Sequence, residues 1–325
     1  MADSPTGLTF DLIDAARERL AGKVSVTPVM SSATLSEQAG AQLYFKCENL
    51  QKGGAFKARG ATNAVFALSQ TQAQRGVATH SSGNHGAALA RAAQLRGIPA
   101  YVVMPTNTAR AKSDAVRRFG AEITWCEPTQ ADRERAVADV IAATGATLVH
   151  PYNDLAVMAG QGTATVEFLS QVPQLEVILC PVGGGGLLAG TAVAAHSLKE
   201  GLRVIGVEPA GADDAARSLR AGRIVSGTSP ETLADGLRAT VGALPFAEIR
   251  RRVEDIITVT DEAIVAAMRQ LWSVMKLVVE PSGAVPYAPF LTREHGFRGA
   301  HLGIILTGGN LDLDRLPWAL KPARE

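Results

Sequence analysis

No charged side chain occurs between Val177 and Ala195, and Pro181 with four consecutive glycines at 183–186 cuts that window in the middle. An apolar run of this length could cross a bilayer. The interruption argues against it, because proline and glycine break a helix where lipid offers no replacement hydrogen bonds. A buried strand (EVILCPV), a tight loop and a helix (LLAGTAVAAH) account for the whole segment. A strand without polar alternation must be covered on both faces, which points to a parallel sheet between layers of helices.

The rest of the chain repeats that unit. AQLYFKCEN, GVATHSS, PAYVVMP, AEITWCEP, TLVHPYN, RVIGVEP, DIITVT and LGIILTG read as strands. GNHGAALARAAQLRG, ARAKSDAVRRFG and ADRERAVADVIAATG read as helices between them, and Leu12, Ala16 and Leu20 mark an amphipathic opening helix. The predicted class is α/β, with two domains of parallel-rich twisted sheets flanked by helices and right-handed crossovers. Residues 68–151 form a run of short β/α units that reads as an inserted small domain. Residues 1–67 and 152–325 would then build the large domain from both ends of the chain.

The 325 residues carry a net charge of +1, so no basic footprint for nucleic acid or an anionic membrane surface is present. Cys47, Cys126 and Cys180 lie far apart, which disfavours a disulfide framework or a structural zinc site and fits a reducing cytoplasm. The first twenty residues contain acids and lack the apolar core of a secretory signal.

Four short segments carry the chemistry. Lys57 stands in GGAFKARGA, between Phe56 and Ala58 and close to three glycines. A lysine attacks a carbonyl only as the neutral amine, and partial burial lowers its pKa; the plain alternative is a solvated lysine at a helix start. The glycines at 183–186 sit at a strand-to-helix junction, where backbone N–H groups and the helix N-terminus can hold a phosphate. No Lys-Ser/Thr follows, so this is no Walker loop. SSGNHG at 81–86 occupies a second such junction, with donors for a carboxylate and an amide, Asn84, for a ring oxygen. His85 could act as a base there or serve as a structural hydrogen-bonding group. TGGN at 307–310 follows an apolar strand and puts Thr307 where ligands of open α/β sheets gather. An activatable lysine with three glycine-rich loops indicates a covalently held, phosphorylated cofactor, with pyridoxal 5′-phosphate (PLP) as the leading candidate.

GAFKARGA, SSGNHG, PVGGGGLLAG and TGGN, in this order and spacing, resemble the serine/threonine dehydratase and serine racemase family, fold-type II PLP enzymes of the tryptophan synthase β-like fold. CEPT at 126–129, HPYND at 150–154, AGQGT at 159–163, EPAGADD at 208–214, ADG at 234–236 and EPSGA at 280–284 extend the likeness over nearly the whole chain. The cysteine synthase branch matches less well, because it favours Thr where this chain has His85.

The resemblance implies the following roles. Lys57 would carry the cofactor and remove the Cα proton, with Phe56 beside the ring. Asn84 would bond the ring oxygen, and Thr307 would face the ring nitrogen. Gly183, Gly184, Gly185, Gly186 and Leu187 would hold the phosphate. Ser81, Ser82 and His85 would surround the substrate carboxylate. Ser82 lies where racemases place a second acid/base on the opposite face. Arg133 and Thr240 fall near the substrate side chain, although spacing alone puts Arg133 on a solvated helix face; an inward Arg133 would favour an acidic substrate such as 3-hydroxyaspartate. Glu208, Ala212 and Asp214 match a site for a divalent cation (Mg²⁺, Mn²⁺ or Ca²⁺), the alternative being a loop in which Asp213 or Asp214 caps the next helix.

The implied activity is dehydration of serine, threonine or threo-3-hydroxyaspartate to a 2-oxo acid and ammonia, by a cytoplasmic homodimer. Serine or aspartate racemisation is the close alternative, and a non-catalytic metabolite-binding protein the distant one. Ala55 replaces the usual serine beside the active lysine, which weakens the case for serine as preferred substrate. Ala87 and Phe119 replace polar residues linked to nucleotide activation, and the chain adds no amino-acid-sensing domain, so neither ATP control nor feedback by isoleucine is expected.

Overall fold

The computed structural model of the chain describes residues 7–81, 83–108, 110–226, 229–291 and 296–318, without the side chain of Ala111. After α1 (Phe10–Leu20) come β1 (Val29–Ser31), α2 (Ala33–Ala39), β2 (Gln42–Cys47), α3 (Lys57–Ala67) and α4 (Gln70–Arg75). A run of β3 (Val77–His80), α5 (Asn84–Arg96), β4 (Ala100–Pro105), α6 (Arg110–Arg118), β5 (Glu122–Cys126), α7 (Gln130–Thr144) and β6 (Thr147–Leu148) follows. Then come α8 (Leu155–Gln171), β7 (Val177–Pro181), α9 (Gly186–Leu198), β8 (Arg203–Pro209), α10 (Asp214–Ala221) and α11 (Ala243–Arg252). The chain closes with β9 (Asp255–Val259), α12 (Asp261–Met275), α13 (Pro281–Ala284) and β10 (His301–Leu306).

Two sheets result. One has the order β1-β2-β10-β7-β8-β9 and the other β5-β4-β3-β6. Every pairing is parallel except β1 with β2. The predicted parallel α/β class is therefore correct, and the short antiparallel edge β1 is an addition. Alternation along β7 explains why the strand is apolar throughout. Ile178 and Cys180 join a core with α1, α8, α9 and α11, whereas Val177 and Leu179 join a second core with α2 and α12 on the opposite face. In the smaller sheet, Val102 and Met104 pack against α3 and α5, and Val103 packs towards α7.

TLVHPYN is a strand only at Thr147–Leu148. Beyond it the backbone is used by side chains instead of a ladder: the Val149 carbonyl faces the His85 ring, and the Pro151 carbonyl accepts from Lys57. Among the described residues, no helix is long and apolar enough to cross a membrane.

Candidate active site

The glycine-rich loops meet at the carboxyl ends of the strands. Ala55 forms an isolated antiparallel bridge with Gly308. The Phe56 N–H donates to the Thr307 carbonyl at 3.0 Å, and the Gly309 N–H donates to the Gly54 carbonyl at 3.0 Å. The Thr307 hydroxyl donates to the Ser282 carbonyl at 3.4 Å, and the Ser282 Oγ accepts from the Gly236 N–H at 3.0 Å. Leu237 lies so close to Gly183 that a Cβ there would stand 2.8 Å from the Leu237 Cα. On the other side, Lys57 Nζ donates to the Pro151 carbonyl at 2.7 Å. Tyr152, the next residue, fills the space beside Gly184, where a Cβ would meet its ring at 2.2 Å.

Lys57 is the first residue of α3 and opens partly onto this cleft. Its amine lies 5.2 Å from the centre of the Phe56 ring, and no carboxylate among the described residues pairs with it. Burial of the amine end lowers its pKa to about 8, with no opposing charge. Such an amine has a substantial neutral fraction near neutral pH, as attack on a carbonyl requires.

Two helices start bare at the site. Gly185 precedes α9 with φ of +87°, a conformation that side chains resist, and no side chain caps the helix. Buried Leu187 lies in its first turn. The helix α5 starts behind Gly83, again without a side-chain cap. Both ends leave N–H groups and partial positive charge for an anion. The Ser81 hydroxyl accepts from the Gly83 N–H at 3.3 Å. Ser82 lies outside the described residues.

His85 is buried, with Nε2 3.1 Å from the Val149 carbonyl. A carbonyl only accepts, so Nε2 carries the proton and Nδ1 is a bare acceptor. Burial, followed by the Lys57 charge, holds the ring well below its usual pKa and therefore neutral. The ring cannot donate to a substrate carboxylate in that state. The structural alternative fits the His85 side chain, whose Nε2 proton is already engaged by the Val149 carbonyl.

Arg133 is half-buried on α7, and its Nε is buried without a partner. It is therefore not a simple solvated face charge. Burial foremost lowers the pKa of His80; Glu134 opposes this, and the Arg133 charge adds to it. His80 packs edge-on against His150 at 5.5 Å, and His150 against Tyr152 at 4.6 Å. Burial, then His80 and Lys57, bring His150 to about 4. An aromatic path thus leads from His80 through His150 to Tyr152, beside the Pro151 carbonyl that Lys57 meets. Thr240 is half-buried beside Val241 and Gly242, which donate to Asp214 at 2.8 Å and to the Gly184 carbonyl at 3.2 Å.

Glu208 is the last residue but one of β8, and Asp214 begins α10; both are buried, as is Ala212 between them. The Glu208 carboxylate accepts from the Ala215 and Ala216 N–H groups at 3.1 and 2.9 Å. The helix is thus capped by Glu208, and neither Asp213 nor Asp214 supplies a side-chain cap. Burial foremost, and Asp214 nearby, push Glu208 up to about 8, and burial also raises Asp214. Among the described residues, no group of three His, Cys, Asp or Glu side chains forms a cation cluster.

Sequence reasoning missed His80, His150, Tyr152, Glu280 and Asn310 as site residues. GVATHSS, HPYND, EPSGA and TGGN marked their segments, but only the fold brings those segments together.

With this geometry in place, a family model described as "Pyridoxal-phosphate dependent enzyme" matches residues 20–308. The chain belongs to that family, and pyridoxal phosphate is its cofactor. It is 49% identical over 310 residues to a beta-hydroxyaspartate dehydratase of Paracoccus denitrificans, covering 95% of this chain and 98% of that protein. It is 45% identical over 311 residues to a serine racemase of Arabidopsis thaliana, covering 94% and 93%. The solved structure of maize serine racemase superposes with a TM-score of 0.94 at 44% identity, covering 97% of each chain.

Proposed function

We propose that the protein is a dehydratase of β-hydroxy-α-amino acids, converting serine, threonine or threo-3-hydroxyaspartate to a 2-oxo acid and ammonia. The observation that carries the reading is Lys57, a desolvated amine without a counter-ion where the glycine-rich loops converge. The residues fit the cofactor: Lys57 would bind its carbonyl carbon, Gly183–Leu187 its phosphate, Asn84 its ring oxygen and Thr307 its ring nitrogen, with Phe56 against the ring. When bound, the cofactor supplies an electron sink that acidifies the substrate Cα–H.

The protein's own groups do the rest. Lys57 Nζ, free once the substrate amine has taken its place on the cofactor, would accept the Cα proton. It would return a proton to the β-hydroxyl, which leaves as water, and hydrolysis of the freed enamine gives the 2-oxo acid and ammonia. The Thr307 hydroxyl is neutral and would face the ring nitrogen without the full charge of a carboxylate, which would make the bound cofactor a weaker electron sink. Backbone N–H groups at the start of α5 would take the substrate's α-carboxylate. The unpartnered, buried Nε of Arg133, together with the dehydratase relative, supports 3-hydroxyaspartate, whose second carboxylate needs a cation.

Glu208, Asp214 and the Ala212 carbonyl would hold a divalent cation. Two buried carboxylates, both pushed up foremost by burial, form a donor set of hard oxygens. The division at residues 68 and 151 is supported by strand membership, since the smaller sheet draws its strands from 77–148. A homodimer is proposed from the resemblance, with light scattering as the check.

Racemisation is the second reading, favoured by the racemase relatives. It needs a proton donor on each face, and Ser82 is the candidate opposite Lys57. Release of 2-oxo acid measured beside the D/L ratio of recovered substrate decides. Elimination at least as fast as inversion is expected; inversion outrunning elimination on every β-hydroxy amino acid tested would overturn the dehydratase assignment.

A further inference from the structure

We propose that Asn310 and Glu280 are positioning residues that fix which end of the Asn84 side-chain amide faces the cofactor. This rests on the reading above that Asn84 meets the ring oxygen. The oxygen and nitrogen of an amide side chain are nearly equal in size, so its neighbours decide its orientation.

The decision begins at a backbone carbonyl. The Gly53 carbonyl can only accept, and Asn310 Nδ2 donates to it at 2.7 Å. The second N–H of the same group reaches Asn84 Oδ1 at 2.9 Å. Asn84 Oδ1 is thereby committed as an acceptor, and Asn84 Nδ2 donates to Glu280 Oε1 at 2.7 Å. Nδ2 carries two hydrogens. One goes to Glu280, and the other is the last donor the side chain can offer. A ring oxygen that carries negative charge needs that donor; a flipped amide would present a carbonyl oxygen and repel it.

The surroundings are built for this relay. Glu280 is buried, and its own N–H donates to the Gly308 carbonyl at 2.9 Å. A Cβ on Gly308 would stand 2.2 Å from Glu280 Oε1 and 3.3 Å from Asn84 Nδ2, so only glycine lets the backbone close on both. Burial foremost, then Asp235, raise the Glu280 carboxyl to about 8 against Lys112 and the Asn84 bond. Near neutral pH it is mostly protonated and accepts from Asn84 without adding charge beside the ring oxygen. The relay joins the Lys57 loop, the start of α5, the Glu280 turn and the loop after β10, and none of these links is local in sequence.

The test compares holoenzymes carrying Asn84→Ala, Asn310→Asp, Glu280→Leu and Glu280→Gln. Readouts are cofactor affinity by equilibrium dialysis, the visible absorbance band and its pH titration, and melting of the apoproteins. Asn310→Asp puts acceptors opposite Gly53 and Asn84 and removes the steering. It and Glu280→Leu should match Asn84→Ala, weakening cofactor binding about tenfold or more, the scale of one hydrogen bond to a charged group, with the same spectral shift. Glu280→Gln retains an acceptor and should stay within about twofold of wild type, below the scale of one such bond. Asn310→Asp should add nothing in an Asn84→Ala background. If Asn84→Ala moves band and affinity while Asn310→Asp and Glu280→Leu leave both unchanged, or if the effects add in the double variant, the relay is overturned and the Asn84 contact stands. If Asn84→Ala itself moves neither, the contact fails and the relay with it.

Discussion

Lys46, near the end of β2, is completely buried, and its ammonium donates to the Thr27 carbonyl, Glu167 and Gln171, each at 2.9 Å. Lys57, at the start of α3, opens on the cleft and has the single carbonyl of Pro151. Burial pulls both amines down. At Lys46, Glu167 and Glu48 pull back, whereas at Lys57 no opposing charge does. A buried lysine with its acceptors satisfied is a structural element. One left short of acceptors, beside bare helix ends, is a reagent.

Substitution tests that contrast most strongly at Lys57. Lys57→Ala should cut 2-oxo acid release by about 10²–10⁴-fold or more, the range for a positioned acid/base, while the melting curve stays near wild type. Activity that survives in steady-state assays would remove Lys57 from the chemistry. The charged cluster around Lys46 should answer in the opposite currency. Arg59 is buried and paired with Glu48 at 2.7 and 2.8 Å and with Glu167 at 2.7 Å through both oxygens. Arg59→Met leaves buried Glu48 without the cation it is hydrogen-bonded to, with Lys46 acting only through space, and should cost about 3–5 kcal/mol in denaturant unfolding. Since Arg59 is also two residues from Lys57, a normal stability with lost activity would show that the cluster serves the site more than the fold.

Much of this contrast was legible from the sequence on one side only. Lys57 stood out because glycines and an aromatic residue surround it, and glycine runs are local signals. Lys46 and Arg59 read as ordinary charges, because their partners Glu167 and Gln171 come from α8, far along the chain. The same limit hid Glu280 and Asn310: each belongs to a recognisable loop, but which loop faces which is settled by the sheet order. His85 went the other way. Its position in SSGNHG recommends it as a ligand, and only the Val149 carbonyl reveals that the ring is already engaged. TLVHPYN has strand composition, yet its later carbonyls serve His85 and Lys57.

The Glu208–Asp214 pair gives a smaller effect. Two carboxylates that burial pushes up gain from a cation, so saturating Mg²⁺ should stabilise the folded protein by about 2–3 kcal/mol at a hundredfold excess over its dissociation constant. Melting with Mg²⁺ and with EDTA measures it, and Glu208→Gln should remove most of the difference. A cation effect untouched by Glu208→Gln would place the ion elsewhere.

The finest test separates the two lysines by pH. In the apoprotein, Lys57 is lowered to about 8, so its neutral fraction rises about tenfold per pH unit below that value and levels off above it. Competitive acetylation with acetic anhydride, read peptide by peptide, should give a labelling rate at Lys57 that climbs to about pH 8 and then flattens. Exposed lysines should keep climbing towards about pH 10.4. Lys46 is also lowered, but its three acceptors and complete burial withhold the amine, so it should stay unlabelled until the protein unfolds. The sign also reaches stability: the unfolded chain keeps its Lys57 proton above pH 8 while the folded one has released it. Folding therefore gains from Lys57 as pH rises from about 8 towards the ordinary lysine value. Lys57 labelling that continues to rise beyond pH 9 would mean a solvated amine, and the distinction from surface lysines would collapse.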